Sequence, residues 1–396
     1  MYIQTKGVLC DSKGMIVNMK NIWLAIKGYF RRLDKVLLLL CLIAVSFSCL
    51  ILYSELRAGF ISTGSRRFNP FTMQVIAAII GIAALLVMSV INYRFMAKIW
   101  FIHLPITLGL VLLTFTNLPI VYQPPGSDDT AWLRIAGLSL QPSELLKFSF
   151  ILTFALHLSR VREELNKPKN LLFLCLHGAA PCLLIFIQGD MGSALVFFFI
   201  FLCMIFAAGI SYKYVFAGMG LIAIAAPVIW FSGLLPDYLK QRFTILGDLS
   251  SDALGYGHQQ LNGRRILGSG MLFGKGLFSD DLNWVFALEN DFVLAHVGQT
   301  LGFVGCAFVV LLLTAICVKI LLTARISSDP LGCYICVGVF GMFMFQSIIN
   351  IGMVLGVLPV IGITLPFMSA GGTSIITSFV SMGLVMSVYS FNKGRG

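Results

Sequence analysis

The chain reads as an all-α polytopic membrane protein, and three observations carry that reading. Of its 396 residues 58% are hydrophobic and 11% charged, with a mean hydropathy of +0.92, so the polar surface that would cover a soluble domain is missing. Ten separate apolar runs approach or reach the roughly 18 to 20 residues that cross a bilayer core. Within such a run there is no water to bond the backbone, and a helix satisfies its own N–H and C=O groups.

Residues 1–35 form a polar, basic tail containing Lys6, Lys13, Lys20, Lys27, Arg31, Arg32 and Lys35. The apolar run behind it, Val36 to Tyr53, is longer than a cleavable signal core and reads as a retained first span. The next six spans are expected at Phe71 to Ile91, Ile99 to Leu118, Ser143 to Leu158, Leu171 to Gln188, Gly192 to Ile210 and Tyr214 to Leu235. The last three are a long segment entered at Phe292 and ending near Leu322, then Tyr334 to Ile351, then Thr373 to Tyr389. The membrane domain therefore covers residues 36–390, with a short tail at 391–396.

An even number of spans puts both termini on one side, and charge decides which. If the tails are cytoplasmic, most of the 28 basic residues face the cytoplasm, including Arg94, Lys98, Arg160, Arg162, Lys167, Lys169, Lys213, Lys319 and Arg325. That distribution obeys the positive-inside rule. The loop at 236–290, between the seventh and eighth spans, then faces outward.

Composition excludes other classes. The net charge of +11 is dispersed over short connections, with no basic stripe interleaved with aromatics, so nucleic acid is not an expected partner. Nine of the ten cysteines lie in or beside apolar runs, and the one CxxC, Cys333 to Cys336, has no second pair or nearby histidine to make a zinc site.

Four polar islands interrupt the apolar pattern, all at the outer ends of spans. In the first, Trp132-Leu133-Arg134 precedes Leu140-Gln141-Pro142-Ser143-Glu144, with Lys147 one turn on. Pro142 and Glu144 suit the start of a helix; Lys147, at i+3 from Glu144 and inside the membrane, needs a partner or a function. The second, Gln188-Gly189-Asp190-Met191-Gly192, places Asp190 as a cap on the sixth helix.

The third is the outer loop, far longer than an ordinary connection. It carries Gln259, Asn262, Arg264 and Arg265, then Gly268-Ser269-Gly270 and Gly274-Lys275-Gly276, a pattern in which backbone amides and cations could approach a phosphate. It ends in Glu289-Asn290-Asp291-Phe292, whose acid is either a helix cap or a catalyst. The fourth holds Gln346 and Asn350, then Gly356, Pro359, Gly362, Pro366, Ser369-Ala370-Gly371-Gly372 and Thr373. So many breakers at membrane depth imply broken backbone lining a cavity. The islands together imply one outward-facing polar site.

These residues resemble the SEDS family of FtsW, RodA and SpoVE. The resemblance rests on Arg134, Gln141-Pro142-Ser143-Glu144-x-x-Lys147, Gln188-x-Asp190-Met191-Gly192, the glycine loop through Gly276, Asp291-Phe292, and Asn350-x-Gly352 through Gly371-Gly372, and covers about residues 36–390 in order. It implies a peptidoglycan glycosyltransferase that polymerises lipid II on the outer face of the bacterial cytoplasmic membrane, beside a class B penicillin-binding transpeptidase. It further implies that Asp291 is the catalytic residue and that Glu144 and Lys147 line the cavity. Arg134, Gln141, Gln188, Asp190, Gln259, Asn262, Lys275, Asn350, Ser369 and Thr373 join them as candidate substrate-binding or cavity residues. The motifs are common to division, elongation and sporulation members.

Several positions depart from the family pattern. Phe286-Ala287 stands where Pro-Glu is usual, Gln299-Thr300 where Glu-Glu is usual, and Gly189, His258 and Ala370 replace a proline and two tyrosines. They mark a divergent member.

The chemistry asks for one carboxylate as general base and for cations near a leaving pyrophosphate. Lys147, Arg134, Arg264, Arg265 and Lys275 are candidates for the second role, which a divalent metal, Mg or Mn, could share. A resident metal site and its ligands are not legible. Two other classes remain open: a lipid flippase, which would need polar groups continuing to the inner leaflet, and an inactive scaffold for the transpeptidase.

Overall fold

A computed structural model describes residues 28, 33–61, 69–123, 130–135, 138–233, 237–247 and 255–393. Almost all of the basic tail at 1–35, and residues 394–396, lie outside the described residues.

Each expected span is a helix: α1 Lys35–Arg57, α2 Pro70–Val90, α4 Trp100–Leu113 behind a short α3 Tyr93–Lys98, α5 Pro142–Val161, α6 Pro168–Ile187, α7 Met191–Ala207 and α8 Tyr212–Phe231. After the outer loop come α11 Val293–Ile326, α12 Pro330–Val354 and α13 Gly372–Lys393. Seven of these are long and apolar enough to cross a membrane, while α4 and α7 are shorter apolar helices. The tenth, α5, carries Glu144, Lys147 and Arg160 within its twenty residues.

The starts follow local chemistry. Asp34 caps α1 through bonds of 3.1 Å from the Val36 and Leu37 amides. Asn69 and Asp329 cap α2 and α12, each followed by a proline at the first helical position, where its missing N–H costs nothing.

Two features add to the helical reading. The chain is not purely helical: β1 Val121–Tyr122, β2 Trp132–Ile135 and β3 Leu138–Leu140 form a small antiparallel sheet before α5, pairing Leu133 with Val121 and with Leu140. Outside the bilayer water can serve a sheet edge, so strands are tolerated there. The outer loop is also more than a connection, since it holds α9 Asp237–Thr244 and α10 Tyr256–Ser269.

Helices approach through small residues, as membrane helices do. A Cβ on Gly81 of α2 would lie 2.4 Å from the Phe379 ring of α13, and one on Gly383 of α13 would lie 2.8 Å from the Leu85 carbonyl. Those two helices pack along their lengths and bury most of α13. By contrast α8 has no buried residue.

The cytoplasmic end is pinned by Arg94 Nε to Asp329 Oδ2 at 2.5 Å and Tyr93 Oη to Asp329 Oδ1 at 2.9 Å. The polar islands gather at the opposite end.

Candidate functional site

The outer half of α5 supplies the charged core of the site. Lys147 Nζ lies 2.6 Å from Glu144 Oε1, with the two residues 1% and 6% exposed, and the Thr377 hydroxyl donates to Glu144 Oε2 at 3.1 Å. The i+3 spacing puts both charges on one helix face, and α13 presents the hydroxyl that satisfies the remaining oxygen.

Asp190 does two jobs. Its Oδ1 accepts the Ser193 amide at 2.8 Å, capping α7 as expected, while Oδ2 accepts from Gln141 Nε2 at 2.8 Å and so ties α7 to the start of α5. Burial pushes the Asp190 carboxyl above its ordinary range, against the Ser193 hydrogen bonds and the Lys147 cation nearby. Thr373 accepts the Gln141 amide at 3.4 Å and donates to the Ser139 carbonyl at 3.3 Å, joining α13 to β3.

Asp291 stands at the mouth of the same end. Asp291 directly precedes Phe292, the N-cap position of α11, whose own side chain makes no cap bond. Phe292 is fully buried against α10, where a Cβ on Gly263 would lie 2.5 Å from its ring. The Asp291 carbonyl accepts Asn350 Nδ2 at 2.9 Å, and the preceding Asn290 carbonyl accepts the Ser369 hydroxyl at 2.6 Å. Its carboxylate Oδ2 sits 3.9 Å from where a Cβ on Gly362 would be. On the other side of the same short stretch, a Cβ on Gly192 of α7 would lie 2.6 Å from the Ile361 carbonyl. The single segment Ile361-Gly362-Ile363 therefore separates Asp291 from the α7 start that Asp190 caps.

The expected broken backbone is present between α12 and α13, and side chains meet several of its backbone groups. Gln260 of α10 donates to the Met353 and Leu358 carbonyls, both at 2.7 Å; Asn350 donates to Ile363 at 2.8 Å; Ser48 of α1 donates to Met368 at 2.7 Å. Gln74 of α2 donates to the Ser48 hydroxyl at 2.9 Å and accepts the Gly371 amide at 3.4 Å. Side chains from four helices thus replace the ladder that a helix would have made.

The glycine loop is not an anion cradle, which corrects the sequence reading. Helix α11 breaks at Gly302, with φ 66° and ψ −160°, and the loop fills the break. Lys275 and Gly276 amides donate to the Gln299 and Thr300 carbonyls at 2.8 and 3.0 Å, while Phe303 and Val304 amides donate to Met271 and Leu272 at 2.8 and 3.2 Å. A Cβ on Gly270 would lie 2.0 Å from the Gly298 carbonyl, and one on Gly274 would lie 2.2 Å from that of Thr300. The glycines serve backbone-to-backbone packing, and the amides are spent on protein. Lys275 is held by Asp281 at 2.8 Å rather than by the cavity.

Other candidates have local roles. Gln188 donates to the Thr114 hydroxyl, joining α6 to α4. Gln259 holds the Phe286 carbonyl at 3.0 Å, Asn262 lies against the His258 ring of α10, and exposed Arg134 stacks on the Tyr122 ring at 3.8 Å. Gln260 and Thr377 went unnoticed in the sequence; Thr377 follows Thr373 by one turn, which could have marked it. Polar groups also lie toward the inner half of the bundle, where His157 of α5 bonds His177 of α6, which bonds Thr153. Among the described residues no three His, Cys, Asp or Glu side chains converge as a group that could hold a metal ion.

Apolar helices packed around a buried ion pair, with polar side chains gathered at their outer ends, define a polytopic membrane protein with a polar site toward its outer face. The chain belongs to the FtsW/RodA/SpoVE family, described as cell cycle protein, whose pattern matches residues 34–394. It is a multi-pass protein of the cytoplasmic membrane. It is 30% identical over 387 residues to the probable peptidoglycan glycosyltransferase FtsW of Bacillus subtilis, covering 93% of this chain and 92% of that one. It is 28% identical over 377 residues to the protein of the same name from Geobacter metallireducens, covering 92% and 96%. Its fold is similar to Thermus thermophilus rod shape determining protein RodA, with a TM-score of 0.64 at 22% identity over 90% of this chain and 96% of that one. It is also similar to a chain of a peptidoglycan synthase complex, with a TM-score of 0.73 at 23% identity over 91% and 98%.

Proposed function

We propose that the protein is a peptidoglycan glycosyltransferase that polymerises lipid II at the outer face of the membrane, with Asp291 as general base. The observation that carries this reading is the placement of Asp291. It stands one residue before the N-cap position of α11, its backbone is fixed by Asn350 and its neighbour's by Ser369, and its carboxylate lies over a residue without a side chain. The names of the relatives support the reaction class.

In the reaction the acceptor sugar hydroxyl oxygen attacks the anomeric carbon of the donor. A new C–O bond forms, the bond to the lipid pyrophosphate breaks with its electron pair leaving on that oxygen, and the hydroxyl proton passes to the Asp291 carboxylate. Exposed Arg134, Arg264 and Arg265 are outer-face cations proposed to meet the departing phosphates, whereas Lys147 is committed to Glu144. The transpeptidase partner is proposed to be a class B penicillin-binding protein, which the likeness to a synthase-complex chain supports.

The test is polymerisation of lipid II by the purified protein with its transpeptidase. Asp291→Asn is expected to reduce polymer by roughly 10² to 10⁴ with thermal stability unchanged. Normal polymer from that variant would move the base to another residue. No polymer from the wild type would favour the scaffold, unless vesicles showed lipid transport, which the inward His157 and His177 make worth measuring.

A further inference from the structure

We propose that the cytoplasmic end of the bundle binds the phosphodiester headgroup of an anionic phospholipid, in a cavity between α11 and α13 beside the start of α1. The cavity measures about 440 Å³ and is lined by Lys319, Leu322, Thr323, Arg325, Ile326 and Tyr389. It lies at the end opposite Asp291, and the proposal is independent of the activity proposed above.

Its depth follows from one contact. Lys319 Nζ is 2.8 Å from Asp34 Oδ2, an ion pair without hydrogen-bond alignment, and Asp34 is the cap at which α1 enters the membrane. The ammonium therefore sits at the level where the apolar run of α1 begins. Arg325 lies six residues further along α11, about 9 Å nearer the cytoplasm at 1.5 Å per residue. The two cations bracket a layer of headgroup thickness.

The lining matches a lipid rather than a soluble anion. Leu322 and Ile326 are 46% and 54% exposed on the flank of the bundle, where acyl chains would lie, and the Tyr389 ring stands 5.9 Å from the Lys319 ammonium. Asp34 offsets the charge of Lys319, and among the described residues Arg325 makes no ion pair, which leaves about one positive charge facing the cavity. A phosphodiester carries one negative charge, and a guanidinium offers it two parallel N–H donors. The carbonyls ending α11 carry only a fractional negative charge, less than the two cations present. Basic pockets between helices on the cytoplasmic side are where anionic headgroups bind.

The experiment is native mass spectrometry of the full-length protein in detergent. It is titrated with phosphatidylglycerol, with zwitterionic phosphatidylethanolamine, and with phosphatidylglycerol in the presence of inorganic phosphate. One retained phosphatidylglycerol is expected, favoured over phosphatidylethanolamine by roughly 5-fold or more, and insensitive to phosphate at matched concentration. Arg325→Gln should lower its occupancy by about 5-fold, Arg325→Lys by less, and Lys213→Gln, an exposed cation elsewhere on that side, should have no effect. Leu322→Trp keeps every charge but fills the cavity, and should also displace the lipid, which keeps the test decisive if Arg325→Gln fails to fold. Equal retention of the two lipids, or retention unaffected by both variants, would overturn the proposal. Full competition by phosphate would assign the cavity to a soluble anion and overturn the lipid.

Discussion

Glu144 Oε1 and Lys147 Nζ meet at 2.6 Å inside the membrane domain, one turn apart on α5, with almost no solvent contact. Removing one partner strands the other's charge in a low-dielectric interior, at a cost of about 3 to 5 kcal/mol, while replacing both removes the problem. Lys147→Met alone should therefore destabilise the protein severely, and Glu144→Gln with Lys147→Met should recover most of the loss in thermal unfolding. Polymer formation that stays low in the recovered double variant would show that the pair also serves the substrate; recovery of both would make it architectural.

Asn350 reaches two carbonyls at once, those of Asp291 and Ile363. Asn350→Ala frees both, and unmet buried carbonyls cost about 1 to 3 kcal/mol. The expected outcome is a turnover rate reduced by roughly 10-fold with apparent lipid II affinity little changed, because a misplaced base costs the chemical step more than binding. A change confined to KM would count against a positioning role.

The glycines of the outer loop should differ sharply. A methyl group on Gly270 would be 2.0 Å from a backbone carbonyl of α11, whereas one on Gly268, two residues earlier, would meet nothing within 4 Å. Gly270→Ala should cost more than about 2 kcal/mol, and Gly268→Ala should stay within about 0.5 kcal/mol. Thermal unfolding of the two variants checks this.

Asp329 predicts a pH dependence. Burial alone would raise its carboxyl, but the Gly332 amide, Arg94 and Tyr93 bind the charged form and hold it below its usual range of about 3.8. A carboxyl lowered in the fold adds stability that is fully present above its unfolded pKa and is lost as pH falls through the folded one. With the side chain 24% exposed, Asp329→Asn should cost only about 1 kcal/mol near pH 7. The gap from wild type, followed as melting temperature against pH, should close below about pH 4. A gap constant with pH would mean that the carboxylate charge is not what holds α3 to the α12 start.

Span number and orientation were legible in the sequence because both follow from one-dimensional quantities, apolar run length and the placement of Lys and Arg. The pairing of Glu144 with Lys147 was legible for the same reason, since i+3 spacing on a helix is a local fact. Asp291 could be singled out but not placed: in sequence it is an acid before an apolar run, and only the structure sets it one residue ahead of the N-cap position with its carboxylate beside Gly362. The glycine loop was misread because glycine permits close approach to anything. What approaches Gly270 and Gly274 is the carbonyl backbone of α11, broken at Gly302, and that is a contact between distant segments. The same holds for the partners of the Leu358, Ile363 and Met368 carbonyls, which come from α10, α12 and α1, and for the cation cavity beside Tyr389. The sequence by itself determined what must lie in lipid and which way it faces, because transfer free energies add along the chain. Which polar groups meet inside the bundle was decided only by the tertiary structure, since each such meeting depends on how separate helices are turned and packed.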